Sequence, residues 1–165
     1  MEGATLNMAI EWPHVVSVLN DFGQHFVNLY RDNLTLADAV ASGDLAKSLK
    51  YEVKSGSSFV AVDVSLLDYW YYVEHGRKPG KFPPLNAIER WIRVRRIVPY
   101  ANNGKVPTVR QLAYLIARKI ARVGTKPRPT FATSLTETMA AMDAALEEAV
   151  TLDIEQQIDK IITTI

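Results

Sequence analysis

The sequence predicts an α+β fold, because two short segments with a period of two lie between segments with the longer helical period. Helical spacing follows Pro13, a hairpin pattern runs from Leu49 to Val64, and helical spacing returns after Asn86. The 165 residues, 48% of them apolar and 22% charged, are typical of one globular domain. We therefore expect residues 1–165 to form a single α+β domain in which a small antiparallel sheet packs with several helices.

The first helix is predicted to begin at Pro13, since proline suits the first helical position. Apolar residues follow it at spacings of four, three, four and three: Val15, Leu19, Phe22, Phe26 and Leu29. This helix is expected to end near Arg31, because the pair Asn33-Leu34 interrupts the pattern.

A second, shorter helix is expected from Leu36 to Ser42. Thr35 with Asp38 resembles a capping arrangement at its start, and Gly43 would end it.

A β-hairpin is predicted next. Apolar residues alternate with polar or small ones in two runs: Leu49, Tyr51 and Val53, then Val60, Val62 and Val64. The segment Ser55-Gly56-Ser57 between them supplies a glycine turn. The aromatic segment Tyr69–Val73 that follows fits either a strand or a helix, and periodicity leaves both open. Arg77–Pro84 contains three prolines and is predicted to be a loop.

Four further helices are predicted from residues that favour helix starts. These are Asn86 with Glu89, Thr108 with Gln111, Ser134 with Glu137, and Asp153. A loop is expected over residues 99–107, and Gly124 is placed to end the second of the four helices. The last helix, at about residues 152–165, is expected to be a separate C-terminal addition.

Charge is sorted by position along the chain. Residues 77–128 contain fourteen Lys or Arg and one acid, Glu89, for a net charge of +13, whereas all other residues together carry −12. The whole-chain net charge of +1 conceals this contrast. Because the summed field of a protein governs its association, we expect this basic block to dock on nucleic acid or on an acidic protein surface, unless it is simply solvated.

Two observations favour a protein partner over DNA. No recognition-helix pattern is present in the block, and Trp91 fits the apolar face of its own helix, so we expect it in the core rather than as a base-stacking platform. A DNA-binding accessory protein remains the alternative. The candidate interaction residues are Arg77, Lys78, Lys81, Arg93, Arg95, Arg96, Arg118, Lys119, Arg122, Lys126 and Arg128.

No pattern typical of a catalytic, metal or nucleotide site is found. The chain has no cysteine, and its three histidines, His14, His25 and His75, lack metal-ligand spacing. Neither glycine-rich phosphate-binding motif occurs. We therefore expect a protein that is not an enzyme and has no cofactor; a small hydrolase built on Glu74 and His75 is the rival hypothesis. The sequence also shows no signal peptide and no membrane-spanning run, so we expect a soluble intracellular product.

Four stretches carry a resemblance to a known family: Ser42–Leu49, Tyr69–Gly76, Arg77–Pro84 and Leu112–Phe131. In this order they are similar to motifs of the phage tail-completion or head–tail joining proteins. Ser42–Leu49 is similar to that family's entry into its first strand, and Tyr69–Gly76 to its "Tyr-x-x-x-Val-Glu-x-Gly" segment. Arg77–Pro84 resembles the continuation in a subset of members. Leu112–Ala121, followed by Gly124-Thr125 and by the Pro-Thr-Phe that ends at Phe131, resembles the close before the last helix.

The resemblance implies a non-enzymatic α+β subunit of the virion that assembles into a ring at the neck, between portal and tail. Its partners would be copies of itself, the adjacent connector, portal-side or tail-tube proteins, and DNA that passes without sequence-specific binding. No membrane is implied, and assembly would occur in the host cytoplasm. Many members have only a short loop where this chain has residues 77–128, so that block is expected to be a two-helix insertion.

Overall fold

The computed structural model describes residues 11–40, 42–56, 59–100 and 106–164. They form six helices and one two-stranded antiparallel sheet, which confirms the predicted α+β class. The helices are α1 (Pro13–Leu36), α2 (Asp44–Ser48), α3 (Trp70–His75), α4 (Leu85–Val94), α5 (Val109–Val123) and α6 (Thr130–Thr164); the strands are β1 (Lys50–Ser55) and β2 (Val60–Ser65). No helix in this described part is long and apolar enough to cross a membrane.

The described residues fall into two compact units, each of which draws on both α1 and α6. One comprises the described parts of Met1–Leu29, Lys50–Ser65 and Ser134–Ile165, and the other those of Tyr30–Leu49 and Leu66–Thr133. By sequence the first carries a net charge of −9 and the second +10, so we call them the acidic unit and the basic unit. The prediction of a single domain stays a prediction, since compactness does not measure independent folding.

The acidic unit contains the predicted hairpin. Its strands pair in register from Lys50 opposite Ser65 to Ser55 opposite Val60. Tyr51 is half-buried while the charged residues on either side of it are exposed, as the period of two requires. A side chain at Gly23 of α1 would overlap the Tyr51 ring, so the absence of a Cβ lets the strand lie close to the helix.

The predicted end of the first helix near Arg31 is wrong, since α1 continues to Leu36. Tyr30 and Leu34 are buried, so the apolar stripe of the helix continues beyond the three polar residues between them. The Thr35 hydroxyl donates to the Arg31 carbonyl 3.0 Å away, which is a bond within the helix rather than a cap. Burial of Leu34 therefore outweighs the weak local preference of Asn33.

The predicted helix from Leu36 to Ser42 is also wrong. Residues 37–40 are not helical, and position 41 lies outside the described residues. Asp38 adopts a left-handed backbone conformation with φ of 49°, which ends α1, and its amide bonds back to the Thr35 carbonyl. The Thr35–Asp38 pair thus belongs to a helix end.

The basic unit contains the two helices predicted within the basic block, and α4 and α5 pack against each other. The predicted capping box at the start of α5 is confirmed: the Gln111 amide donates to Thr108 Oγ1 at 3.2 Å, and the Thr108 amide donates to Gln111 Oε1 at 2.8 Å. Gly124 ends α5 as predicted, with φ of 73°.

The capping box predicted for α4 is wrong. The helix begins at Leu85, after the extended residue Pro84, and no side chain caps it. Asn86 Oδ1 instead accepts from the amide of the next residue, and Glu89 pairs with Arg93 at 3.5 Å. Proline fixes the backbone angle before the helix, so the helix starts two residues earlier than the Asn86 pattern indicates.

The two helices predicted from Ser134 and Asp153 are one helix, α6, which runs without a break from Thr130 to Thr164. Both residues are buried inside it. They are typical helix-start residues, but neither stands at a helix start here. The separate C-terminal helix expected at about residues 152–165 is therefore the continuation of α6.

The aromatic segment, for which strand and helix were both open, is the short helix α3. Trp70 packs against Phe131 with ring centroids 4.9 Å apart, and Phe131 in turn contacts Tyr30 at 5.6 Å. Tyr71 and Tyr72, on the other side of α3, are exposed. Trp70 of α3 therefore packs inside the basic unit, while the two tyrosines that follow it are exposed to solvent.

Candidate interaction surfaces

A buried carboxylate fixes the start of α1 in the acidic unit. Asp153 Oδ1 accepts from the His14 amide at 3.0 Å, and Oδ2 accepts from the Val15 amide at 2.9 Å. His14 Nδ1 lies 2.6 Å from Oδ1. Burial alone would raise the pKa of Asp153, but the bonds from Val15 and His14 outweigh it and hold that pKa below its usual value. Asp153 therefore caps α1 from α6.

Beyond this cap, α6 exposes an apolar stripe that we call the isoleucine ridge. Its members share one helix face and have exposed fractions of 45%, 50%, 44% and 66%: Ile154, Ile158, Ile161 and Ile162. Exposed acids follow the neighbouring face at spacings of seven and four: Glu148, Glu155 and Asp159. On the opposite side of the ridge, Gln157 and Lys160 bond to Glu11. The ridge is thus bordered on one side by contacts within the unit and on the other by acids.

A second buried carboxylate fixes the start of α6 in the basic unit. Glu74 Oε2 accepts from the Phe131 amide at 2.8 Å, and Oε1 accepts from the Ala132 amide at 3.0 Å. A negative charge at a helix N-terminus is favoured by both the amide bonds and the helix dipole. Both oxygens of Glu74 thus serve a helix start, while the neighbouring His75 ring packs on Tyr71 at 4.5 Å.

Next to this cap, two glycines allow the two ends of the basic block to pair through their backbones, and we call this pairing the Gly76–Gly124 clasp. Arg77 and Thr125 exchange two backbone hydrogen bonds, of 3.2 and 2.9 Å. Gly76 and Gly124, which precede them, have φ of 69° and 73°, and a Cβ on either would overlap backbone atoms of the other strand. Only glycine suits both the backbone angle and the close approach. The pairing therefore joins the segment after α3 to the segment after α5.

An open apolar groove lies between α3, α4 and α5, with a cavity volume of about 500 Å³, and we call it the Trp91 groove. Its floor consists of Val73, Ile88, Trp91, Ile116 and Ile120, and its rim of Tyr72, Thr125, Lys126 and Arg128. The expectation that Trp91 lies in the core is wrong, because its side chain is 38% exposed. Ile92, the next residue, takes the buried position in α4 instead.

Three of the predicted interaction cations bond to groups of their own unit. Arg95 donates to Asp38 Oδ1 at 2.7 Å, and Arg128 donates to the Asp38 carbonyl at 2.9 Å. Arg93 pairs with Glu89 within α4. The bond from Arg95 and its charge lower the pKa of Asp38. These bonds organise the loop after α1 and the end of α4.

Other predicted cations point outward from α5 and from the segment after it. Arg118, Lys119 and Arg122 are exposed and surround a shallow hollow together with Leu115. Lys126 and Arg96 are exposed elsewhere on the unit. The structure therefore brings three of the predicted residues together as a basic face on α5.

The remaining three predicted cations lie beside the exposed tyrosines of α3. Arg77, Lys78 and Lys81 line a hollow with Tyr71 and Tyr72, and we call it the tyrosine–cation patch. The Arg77 guanidinium lies 5.9 Å from the centre of the Tyr72 ring, and it donates to the Lys81 carbonyl at 3.1 Å. This hydrogen bond stabilises the first half of the Pro-rich loop, Arg77–Pro84.

Sequence reasoning missed the two apolar surfaces. The spacing of Ile154, Ile158 and Ile161 was visible, but the same spacing is typical of a face buried in the core. Whether Trp91 and Ile120 face a neighbouring helix or solvent depends on the packing of three helices, which a local pattern does not contain. Among the described residues, no three His, Asp or Glu side chains are grouped as a metal ion would require.

Comparison with protein-family models, with curated proteins and with solved structures finds no match to this chain.

Proposed function

We propose that the protein is a non-enzymatic structural subunit of a phage virion, which forms a ring at the head–tail junction. The ring would connect the portal or its adaptor to the tail and line or seal the channel through which DNA leaves. The four ordered motifs support this proposal, and so does the meeting of the three later ones around Glu74, Gly76 and Gly124. No membrane partner and no cofactor is part of the proposal.

The observation that carries it is the separation of charge between the two units, with exposed charge of opposite sign on different helices. The basic face lies on α5 of the basic unit, and the exposed acids lie on α6 of the acidic unit. A ring requires contacts in which one face of a subunit meets a different face of the next. Each exposed pair contributes about 0–1 kcal/mol, so charge would set orientation while apolar area supplies affinity.

Sedimentation velocity and negative-stain microscopy test this function. The purified protein is expected to form closed rings with a channel wide enough for duplex DNA, and to associate more weakly at about 0.5 M salt than at about 0.05 M. The variant Arg118→Glu/Arg122→Glu is expected to weaken self-association about tenfold. Lys47→Glu/Lys50→Glu makes the same change of charge elsewhere and is the matched control. An oligomer indifferent to salt and to both variants would contradict the electrostatic part, and a monomer would contradict the ring.

The tyrosine–cation patch favours one alternative, a DNA-binding accessory protein. Exposed aromatic rings next to cations are suited to stacking on bases and neutralising phosphates. Filter binding across a salt titration distinguishes the two functions. The ring proposal expects weak, non-specific retention of DNA at physiological salt, whereas the alternative expects tight retention that Tyr72→Ala/Arg77→Ala removes.

A further inference from the structure

The Trp91 groove and the isoleucine ridge have complementary chemistry. The groove offers an aliphatic and aromatic floor, and the ridge offers four isoleucines on one helix face. We infer that the Trp91 groove of one copy of the chain receives the isoleucine ridge of a second copy. This contact rests on the proposed self-assembly and identifies its apolar surfaces, whereas the basic face on α5 contributes long-range charge attraction.

The floor of the groove suits a helix as its occupant. Residues of α4 and α5, two helices that pack against each other, form most of its apolar lining. Peptide helices that occupy such grooves present apolar anchors at spacings of three, four and seven. Ile154, Ile158 and Ile161 of α6 have these spacings and are exposed.

Charge complementarity also favours the isoleucine ridge as the occupant of the groove. The rim of the groove carries Lys126 and Arg128, and the ridge is bordered by Glu155 and Asp159. Glu155 and Asp159 form no ion pair with the described residues of their own chain. When the ridge enters the groove, the acids approach the basic rim, which sets the direction of the incoming helix.

The contact is heterologous, because the groove belongs to the basic unit and the ridge to the acidic unit. Every copy that uses its ridge leaves its groove open for another copy. Such contacts repeat until they close into a ring or extend as a filament.

Two variants and their mixture test the contact in the full-length chain. Trp91→Glu places a negative charge in the groove at a partly exposed position, and Ile158→Glu/Ile162→Glu does the same to the ridge. Val98→Glu and Leu152→Glu introduce the same charge at exposed apolar positions outside both surfaces and are the matched controls. Lys126→Glu is a second groove variant at an exposed rim position, in case Trp91→Glu lowers the thermal unfolding temperature.

Sedimentation velocity is expected to show that Trp91→Glu and Ile158→Glu/Ile162→Glu each self-associate at least about thirtyfold more weakly than the unmodified chain, and Lys126→Glu about fivefold, while the controls assemble normally. An equimolar mixture of groove and ridge variants retains one intact groove and one intact ridge. It is therefore expected to form a heterodimer and nothing larger.

Several outcomes would overturn the inference. A mixture that remains monomeric contradicts it, and so does a ridge variant that assembles like the unmodified chain. If the ridge variant is monomeric but both groove variants still dimerise, the ridge pairs with another ridge. Rings that persist in every variant overturn this contact and leave the proposed function standing. A heterodimer from the mixture together with open filaments of the unmodified chain supports the contact and overturns the ring.

Discussion

The acidic and basic units both use a buried carboxylate to fix the start of a long helix, but in different surroundings. Asp153 holds α1 with two backbone amides and has the His14 imidazole 2.6 Å away. Glu74 holds α6 with two amides and stands next to the Gly76–Gly124 clasp. The acidic unit thus joins helix to helix through one charged side chain. The basic unit adds a backbone clasp that no other residue type can replace.

The units also differ in how they use their surface charge. In the basic unit, Arg95, Arg128 and Arg93 bond to groups of the same unit, and so does Arg77 of the tyrosine–cation patch. The cations of the face on α5 are exposed, and so are Lys78 and Lys81. The acidic unit keeps its α6 acids beside an uncovered apolar ridge. Net charge along a sequence is therefore a poor guide to which side chains can reach a partner, because tertiary bonds first decide which are engaged.

The largest effect is expected from breaking the clasp. Gly124→Ala places a Cβ against the Arg77 carbonyl at a positive φ, and should lower the free energy of unfolding by about 3 kcal/mol. Gly80→Ala is the matched control, since Gly80 also has a positive φ but open space around it. Urea unfolding measures both, and hydrogen exchange should accelerate mainly within residues 66–133. If both variants lost the same free energy of unfolding, the overlap with the Arg77 carbonyl would add nothing to the cost of a positive φ.

The next effect is expected from the two caps. Asp153→Asn removes the charge that holds two amides and faces His14, and should cost about 2 kcal/mol. Glu74→Gln removes a charge that holds two amides only, so about 1 kcal/mol is expected. Thermal or urea unfolding of both variants gives the comparison. If Glu74→Gln lost more free energy of unfolding than Asp153→Asn, the neighbouring clasp would matter more to the strength of a cap than the His14 contact.

These caps explain how far the sequence predicted the fold. The hairpin and the Thr108–Gln111 box were predictable because every group in them is local. The start of α6 was not, since its cap, Glu74, lies 57 positions before Phe131. Asp153 looked like the start of its own helix, but it caps a helix 138 positions away at Val15. When the capping residue is far away in the sequence, the residues around the helix start do not contain the capping pattern, and the start cannot be predicted from them.

The candidate surfaces were predicted only in part, because they too depend on contacts between residues that are far apart in the sequence. The composition of residues 77–128 identified a basic block, and the structure keeps three of its cations together on α5. Trp91 was expected in the core, and the spacing of Ile154, Ile158 and Ile161 is equally typical of a buried face, because a helical period reports which residues share a face and not what covers that face. Only the packing of α3, α4 and α5 leaves the groove open.

The smallest effect, a change in acid stability, tests whether the Asp153 cap depends on its charge. The folded-state pKa of Asp153 lies below its usual value, so its contribution is present above the pKa of the unfolded chain, about 3.9, and is lost as pH falls through the folded pKa. The stability difference between the unmodified chain and Asp153→Asn should stay constant above about pH 5 and shrink below about pH 4. Urea unfolding of both chains in a His14→Gln background measures this difference with the two backbone amides as the remaining polar partners of the carboxylate. A difference that persists unchanged below the folded pKa would mean that shape and hydrogen bonding, rather than charge, make Asp153 the cap, because protonation removes the same charge that the substitution removes.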